Sequence, residues 1–151
     1  MEDEQLITVL SDEECRELLR ATTFGRIAFA VNGRVEIYPL NVAYSEGSGS
    51  GSDDEIFFKS APGFKLAGAS IAKEVVFQAD AIGDGFATSL VARGVARVLS
   101  TEAELERADE LDVRPLIATP KNEYVAIRVA EVSGRRYITG EEPEPLIDTV
   151  A

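Results

Sequence analysis

Residues 55–66 read E-I-F-F-K-S-A-P-G-F-K-L, and this stretch decides how the rest of the chain is interpreted. Residues 56–58 form a short apolar run with a strong preference for strands. The following Ala61, Pro62 and Gly63 end the strand and turn the chain into a helical stretch. The pattern therefore predicts a strand-to-helix corner, a geometry in which the backbone N–H groups at the start of the helix lack intrahelical partners.

Three side chains flank this corner. Lys59 and Ser60 lie at the end of the strand, and Lys65 opens the helix. Two ammonium groups, a hydroxyl and free N–H groups could converge there, and such a set binds a phosphate. The alternative is that both lysines are ordinary solvated side chains beside an ordinary turn.

The charge of the chain is uneven along its length. The 151 residues carry 27 acidic and 15 basic side chains, a formal net charge of −12. Residues 1–14 hold six acids, residues 140–151 hold four, and neither segment has a Lys or Arg, so residues 15–139 keep 17 acids against 15 bases, or −2. The acidity therefore belongs to the ends, and a local basic pocket remains available to an anionic ligand. The sequence has no basic stripe with interleaved aromatic residues, so a nucleic-acid-binding surface is not predicted.

The residue types that the chain lacks exclude several kinds of catalytic and metal-binding site. The chain has no histidine, which excludes a Ser/His/Asp or Cys/His catalytic arrangement and an imidazole metal ligand. The single cysteine, Cys15, lies on the apolar stripe of a predicted helix and is interpreted as a core thiol. No apolar run approaches the ~20 residues of a membrane span, and the acidic start differs from a signal peptide. We expect a cytoplasmic protein with no metal site and no catalytic side chain, whose redox chemistry would come from a cofactor.

Local patterns predict mainly strands. Ser11 and Glu14 form a capping box that starts a helix, for which Gly25 is the predicted stop, and a second capping box begins at Thr101. Asn32-Gly33 predicts a hairpin between residues 26–31 and 34–44. Further strands are predicted at residues 74–80, 88–100, 124–132 and 135–138, with a loop at 82–87, a short helix at 64–72 and a turn at 133–134.

Two residues inside predicted strands indicate irregularities. Pro39 cannot donate to a strand ladder, so its half of the strand is predicted to be an edge, a bulge or an opening that exposes Leu40, Asn41 and Val42. Gly94 is predicted to mark a bulge or a close backbone approach. Residues 45–54, rich in Gly and Ser, are interpreted as a flexible hairpin loop.

The predicted fold class is mainly β, with six antiparallel strands forming a split barrel and about three short helices at its periphery. Most of the predicted connections between strands are hairpins and not helical crossovers, which favours an antiparallel barrel over a parallel sheet. The expected organisation is an acidic N-terminal extension at residues 1–10, one domain at residues 11–139 and an acidic C-terminal tail at residues 140–151.

Several stretches together resemble the FMN-binding split β-barrel family related to pyridoxamine 5′-phosphate oxidase. They are L-S-D-E-E-C-R-E-L-L, F-G-R-I-A-F, Y-P-L-N-V-A-Y, I-F-F-K-S-A-P-G-F-K-L, L-V-A-R-G-V-A-R-V, Y-V-A-I-R-V and S-G-R-R-Y, in this order between residues 10 and 137. The resemblance implies a homodimer with FMN at the subunit interface. It also implies a set of cofactor-binding residues. Pro39, Leu40, Asn41 and Val42 would lie beside the ring, Lys59, Ser60 and Lys65 would hold the phosphate with Leu66 next to them in the binding set, and the opposite subunit would contribute Thr88 and Ser89.

The chain departs from the family pattern at two of these places. The corner often reads Arg-Thr in the family and is Lys59-Ser60 here, which exchanges a bidentate guanidinium for a point charge. Relatives often have Gly-Trp-Ser where this chain has Ala87-Thr88-Ser89, and the chain has no Trp. The expected function is a flavin-dependent oxidoreductase with an unknown substrate, in which a deazaflavin could replace FMN. The alternatives are a non-catalytic flavin or deazaflavin storage protein and a dimer with an empty site.

Overall fold

The protein is built on one antiparallel sheet, as the computed structural model shows for residues 6–47, 54–60, 65–114 and 123–140; the side chains of residues 65–67 are not described. The sheet has eight strands. The strands are β1 (Ile7–Val9), β2 (Phe24–Val31), β3 (Arg34–Asn41), β4 (Ala43–Ser45), β5 (Glu55–Ser60), β6 (Val75–Gly83), β7 (Phe86–Val98) and β8 (Glu123–Ile138). The helices are α1 (Asp12–Ala21), a 3₁₀ helix (Lys65–Ile71) and α2 (Glu102–Glu110). The expected fold class, a mainly β split barrel, is confirmed.

Strand β8 organises the sheet. The strands follow the order β3-β2-β6-β7-β8-β5-β4, and β1 pairs with the end of β8. Strand β7 pairs along one side of β8, from Val98 to Phe86. On the other side of β8, β5 pairs with the first part of the strand and β1 with the last part. Only Val42 separates β3 from β4, so the chain itself joins the two ends of this strand order and rolls the sheet into a barrel.

Alternation along the strands places one side chain in two inside the barrel. Ile27 and Phe29 of β2, Val75 and Phe77 of β6, and Ile127 of β8 are at most 4% exposed. A second cluster lies on the outer face, where Phe57 and Tyr124 pack against Ala108 of α2. Burial of these apolar side chains supplies the main stabilising free energy, at roughly 1.5–3 kcal/mol for each large one.

Both predicted capping boxes are present. Ser11 and Glu14 satisfy each other's backbone N–H groups at the start of α1, and Thr101 and Glu104 do the same for α2. The Asn32-Gly33 hairpin is also confirmed, since both residues have positive φ (54° and 77°) between β2 and β3. No helix within the described ranges is long and apolar enough to cross a membrane.

The strand count of six was too low, for two reasons. Residues 7–9, expected in the N-terminal extension, form β1 on β8, and the strand expected over 34–44 divides at Val42 into β3 and β4. The loop expected at 82–87 is also wrong, because Ile82 pairs with Ala87 and Gly83 with Phe86 in a tight hairpin. No turn occurs at Ser133 and Gly134, which lie inside the continuous strand β8.

The short helix expected at 64–72 is a 3₁₀ helix, Lys65–Ile71. The predicted helix stop at Gly25 is wrong: α1 ends at Ala21 with Thr22 as its cap, and Gly25 lies in β2. The corner residues 61–64 lie outside the described residues.

Candidate functional site

Residues Pro39 to Val42 lie where β3 reaches the edge of the sheet. Pro39 stands opposite Arg26 of β2, and β2 is the one neighbour of β3 in the described strand order. The prediction of an edge strand from Pro39 is therefore confirmed. The predicted exposure of Leu40 and Val42 is wrong, because their side chains are only 3% and 6% exposed. The inside–outside alternation continues through the end of β3, so Pro39 is exposed and Asn41 is half-buried.

Val42 forms the break between β3 and β4. Its N–H donates to the carbonyl of Thr23 at 2.9 Å, one position beyond the pairing of Asn41 with Phe24. The next residue, Ala43, pairs with Phe57 of β5 instead. A cavity of about 430 Å³ adjoins this break, a size typical of small-molecule sites. Its lining includes Asn41, Val42, Ala43, Tyr44, Arg20, Thr22, Thr23, Leu111, Asp112, Val113 and Arg114.

Lys59 and Ser60 end β5, as predicted. The Lys59 ammonium lies 5.0 Å from the centre of the Tyr124 ring on β8, within cation–π range. The Tyr124 hydroxyl donates to Asp109 Oδ1 of α2 at 2.6 Å, and burial together with this bond raises the Tyr124 pKa. Lys59 therefore has an aromatic neighbour that the sequence pattern did not indicate. Ser60 is 3% exposed.

Lys65 and Leu66 are the first two residues of the 3₁₀ helix. The prediction that Lys65 opens a helix is confirmed at the level of the backbone. Because the side chains of residues 65–67 are not described, the convergence of Lys65 with Lys59 stays a prediction.

Thr88 and Ser89 belong to β7. The Thr88 side chain is buried, and its hydroxyl lies 3.5 Å from the carbonyl of Ala81. Ser89 Oγ accepts from Gln78 Nε2 at 3.4 Å. A second cavity, of about 310 Å³, is lined by Thr88.

Strand register separates these residues from the corner. Lys59 pairs with Tyr124 near the start of β8, whereas Ser89 pairs with Arg135 near its end, 135 − 124 = 11 residues away. This is roughly 35 Å along the strand. One chain therefore brings Pro39–Val42 near β5, because β3 contacts β5 and Ala43 pairs with Phe57, but it does not bring Ser89 to Lys59.

Two sets of residues were missed by sequence reasoning. Thr22 and Thr23 connect α1 to β2, and both residues line both cavities. Their position directly after a predicted helix is the signal that could have indicated them.

The second missed set is a polar row on the outer face of the sheet between Pro39 and Ser89. Arg26 Nη1 donates to Gln78 Oε1 at 3.3 Å, and Gln78 Nε2 donates to Asp80 Oδ1 at 2.6 Å. Alternation in β2 and β6 predicts that these side chains face outwards, but only the pairing of the two strands brings them together.

Comparisons with known proteins agree with this architecture. The family model described as pyridoxamine 5′-phosphate oxidase matches residues 11–136. A solved Corynebacterium glutamicum protein named for pyridoxamine 5′-phosphate oxidase is 31% identical, with a TM-score of 0.79 over 92% of this chain and 98% of that one.

Two further similar structures carry names that refer to FAD. The FAD binding protein of Mycobacterium smegmatis is 32% identical, with a TM-score of 0.73 over 88% of this chain and all of that one. The Mesorhizobium loti FAD-binding protein is 27% identical, with a TM-score of 0.69 over 87% of this chain and 99% of that one. With a family model that covers 126 of its 151 residues, the chain belongs to the pyridoxamine 5′-phosphate oxidase family.

Proposed function

We propose that this protein is a flavin-dependent oxidoreductase that binds FMN beside the break between β3 and β4. The observation that carries the proposal is the cavity of about 430 Å³ at Asn41 and Val42, where the chain passes from pairing with β2 to pairing with β5. Membership of the family and the flavin names of its similar structures support the choice of ligand.

The residues present fit a flavin nucleotide. The main chain of residues 39–42 has β2 as its one neighbour in the described strand order, so the backbone polar groups that face away from β2 could border a planar ring. Lys59 and Ser60 end β5 beside this edge, and Lys65 and Leu66 start the helix that follows. In this proposal Lys59, Ser60 and Lys65 hold the phosphate by charge-assisted hydrogen bonds. When bound, the flavin would supply the hydride or electron transfer.

A second subunit completes the proposed site. Because Ser89 and Thr88 lie eleven and twelve register positions from Lys59 on β8, they would contact the flavin of a partner chain. Exposed aliphatic residues on β3, among them Val35 (77%) and Ile37 (63%), offer apolar surface beside Pro39 for a dimer interface. Interfaces of permanent dimers commonly bury on the order of 2,000 Å² or more. Light scattering at micromolar concentration should give the mass of a dimer, and a folded monomer would contradict the shared site.

The phosphate assignment is tested by titrating FMN and riboflavin into the wild type and Lys65→Ala. One lost charge-assisted hydrogen bond, worth about 1.5–3 kcal/mol, should weaken FMN roughly tenfold to a hundredfold and leave riboflavin unchanged. Lys73→Ala is the matched control, since Lys73 is an exposed lysine just after the same 3₁₀ helix. Equal affinity of the wild type for FMN and riboflavin would refute the phosphate assignment.

The identity of the cofactor and its turnover need separate measurements. FAD and a deazaflavin also carry a phosphate, so the same titration with these ligands distinguishes them from FMN; the names of the similar structures favour including FAD. Repeated reduction and reoxidation of the bound flavin with a reduced nicotinamide as donor would support an oxidoreductase. A flavin that is bound and released without turnover, whichever donor is offered, would support a storage protein instead.

A further inference from the structure

Three arginines from three elements meet on the outer face of the barrel, away from the proposed flavin site. Arg97 comes from β7, Arg107 from α2 and Arg128 from β8, and they line a polar cavity of about 490 Å³. Ser45, Glu46, Gly47 and Glu55 complete the lining. The cavity adjoins the start of β5, whereas the proposed phosphate corner follows its end, five residues or roughly 17 Å further along the strand.

Two of the arginines are fixed by acidic partners. Glu55, whose side chain is 8% exposed, accepts from Arg97 Nη2 at 2.9 Å and from Arg107 Nη2 at 3.2 Å. Arg97 also donates to Glu104 of α2. A buried carboxylate needs such partners because desolvation of an unpaired charge is costly. The network therefore holds both guanidinium groups in place at the cavity before any ligand arrives.

Arg128 is not part of this network. It stands opposite Glu55 in the ladder and is exposed, and its side chain has no hydrogen bond or ion pair within the described part of the chain. The remaining acid of the lining, Glu46, is held by Arg20, with 2.6 Å between Oε1 and Nη2. The lining itself has three positive and two negative side chains, so it has one excess positive charge in a chain of net charge −12.

We propose that this cavity is a binding site for a phosphate group, separate from the flavin site, with Arg107 and Arg128 as its donors. A guanidinium presents two parallel N–H groups that match a phosphate, and it stays charged at any physiological pH. Arg107 gives one nitrogen to Glu55 and keeps others free, and Arg128 keeps all of its donors. Two guanidinium groups with unused N–H donors suit the charge of a phosphate, which is about −1.5 to −2 at pH 7.

The test is an isothermal titration of inorganic phosphate into the full chain at constant ionic strength. The wild type should bind saturably, and Arg128→Gln and Arg107→Gln should each weaken binding about tenfold to a hundredfold. Arg34→Gln is the matched control, because Arg34 is exposed and lies on the far hairpin. Since Arg128 has no partner in the described structure, its replacement should leave the urea unfolding curve unchanged, so that lost binding is not lost folding.

A second set of phosphate titrations distinguishes binding in this cavity from binding at the proposed flavin phosphate corner. Phosphate binding should survive Lys59→Ala and the presence of saturating FMN, and glycerol phosphate in place of the free ion shows whether a phosphomonoester binds more tightly. Binding that disappears in Lys59→Ala or in the presence of FMN would overturn the proposal, because the phosphate would then occupy the corner. Absence of saturable binding, or an equal loss in Arg34→Gln, would also overturn it.

Discussion

Arg16 of α1 lies with its Nε 3.2 Å from Oδ2 of Asp54, a buried carboxylate just before β5. The same carboxylate accepts a hydrogen bond from the Tyr44 hydroxyl of β4 and another from the Gly47 N–H at 2.9 Å. Asp54 therefore ties α1, β4 and β5 together. The interpretation of residues 45–54 as one flexible loop is wrong at both ends, since Ser45 belongs to β4 and Asp54 is buried; residues 48–53 lie outside the described residues.

Asp54→Asn should destabilise the fold. The substitution keeps the shape of the side chain but removes the charge that pairs with Arg16 and one of the oxygens that accept hydrogen bonds. We expect a loss of about 1–3 kcal/mol in the free energy of unfolding, measured by urea denaturation. Glu17→Gln on the exposed side of the same helix is the control, with an expected change within about 0.5 kcal/mol. If both variants unfold at the same urea concentration, Asp54 does not anchor these elements.

Gly94→Ala should reduce the stability of the fold more than Asp54→Asn does. The pairing of β7 with β8 shifts register between Arg93 and Gly94, which confirms the predicted irregularity. A Cβ at Gly94 would lie 1.9 Å from the carbonyl oxygen of Arg128, so the two strands would have to separate. We expect a loss of about 3 kcal/mol or more, or failure to fold. Gly140→Ala is the control because a Cβ there meets no atom within 4 Å, and an equally stable Gly94→Ala would refute the close approach.

Glycines show how far the fold could be predicted from the sequence. Asn32-Gly33 was interpreted correctly because its turn depends on local backbone conformation. Gly25 and Gly134 were interpreted as a helix stop and a turn, yet each allows a close approach, of strand β6 at Gly25 and of helix α1 at Gly134. A Cβ at Gly25 would lie 2.5 Å from the carbonyl oxygen of Gln78, and one at Gly134 would lie 3.0 Å from Cys15 Sγ. Such contacts come from distant parts of the chain, so a local pattern does not distinguish them from turns.

Some features of the candidate site could also be predicted from local sequence rules, and others could not. The edge position of Pro39 and the strand end at Lys59 follow from local rules, because proline lacks the N–H that a central strand needs. The contact between Lys59 and Tyr124 depends on the register of β5 against β8. The cavities beside Thr22 and Thr23 depend on how the barrel closes. The order of side chains along one strand does not by itself identify the distant strand with which it pairs, so these features required the structure.

Cys15 should be unreactive in the folded protein. The thiol is fully buried in the core between α1 and β8, and burial raises its pKa, with a smaller contribution from the carboxylates of Asp12 and Glu14. Both effects reduce the fraction of thiolate, which is the reactive form. A thiol reagent at pH 8 should label the native chain slowly and the urea-unfolded chain at once. Rapid labelling of the native protein would show that α1 opens readily.

Glu104 should make stability depend on pH in the acidic range. Its hydrogen bonds with Arg97 and Thr101 lower its pKa from 4.5 to about 2 in the folded chain. Because the folded protein binds this proton less readily than the unfolded chain, the stabilising contribution is complete above pH 4.5 and is lost as the pH falls to about 2. Glu104→Gln should therefore reduce stability at pH 7, and its difference from the wild type should shrink as the pH approaches 2.

Glutamine suits this substitution because it can still serve as the capping-box partner of Thr101, so the variant mainly removes the charge facing Arg97. Urea unfolding of the wild type and Glu104→Gln at intervals between pH 7 and pH 2 measures the difference directly. Glu106→Gln, on the exposed side of α2, is the control and should follow the wild type at every pH. A constant difference between Glu104→Gln and the wild type across this range would show that the Glu104 carboxylate does not stabilise the fold through its charge.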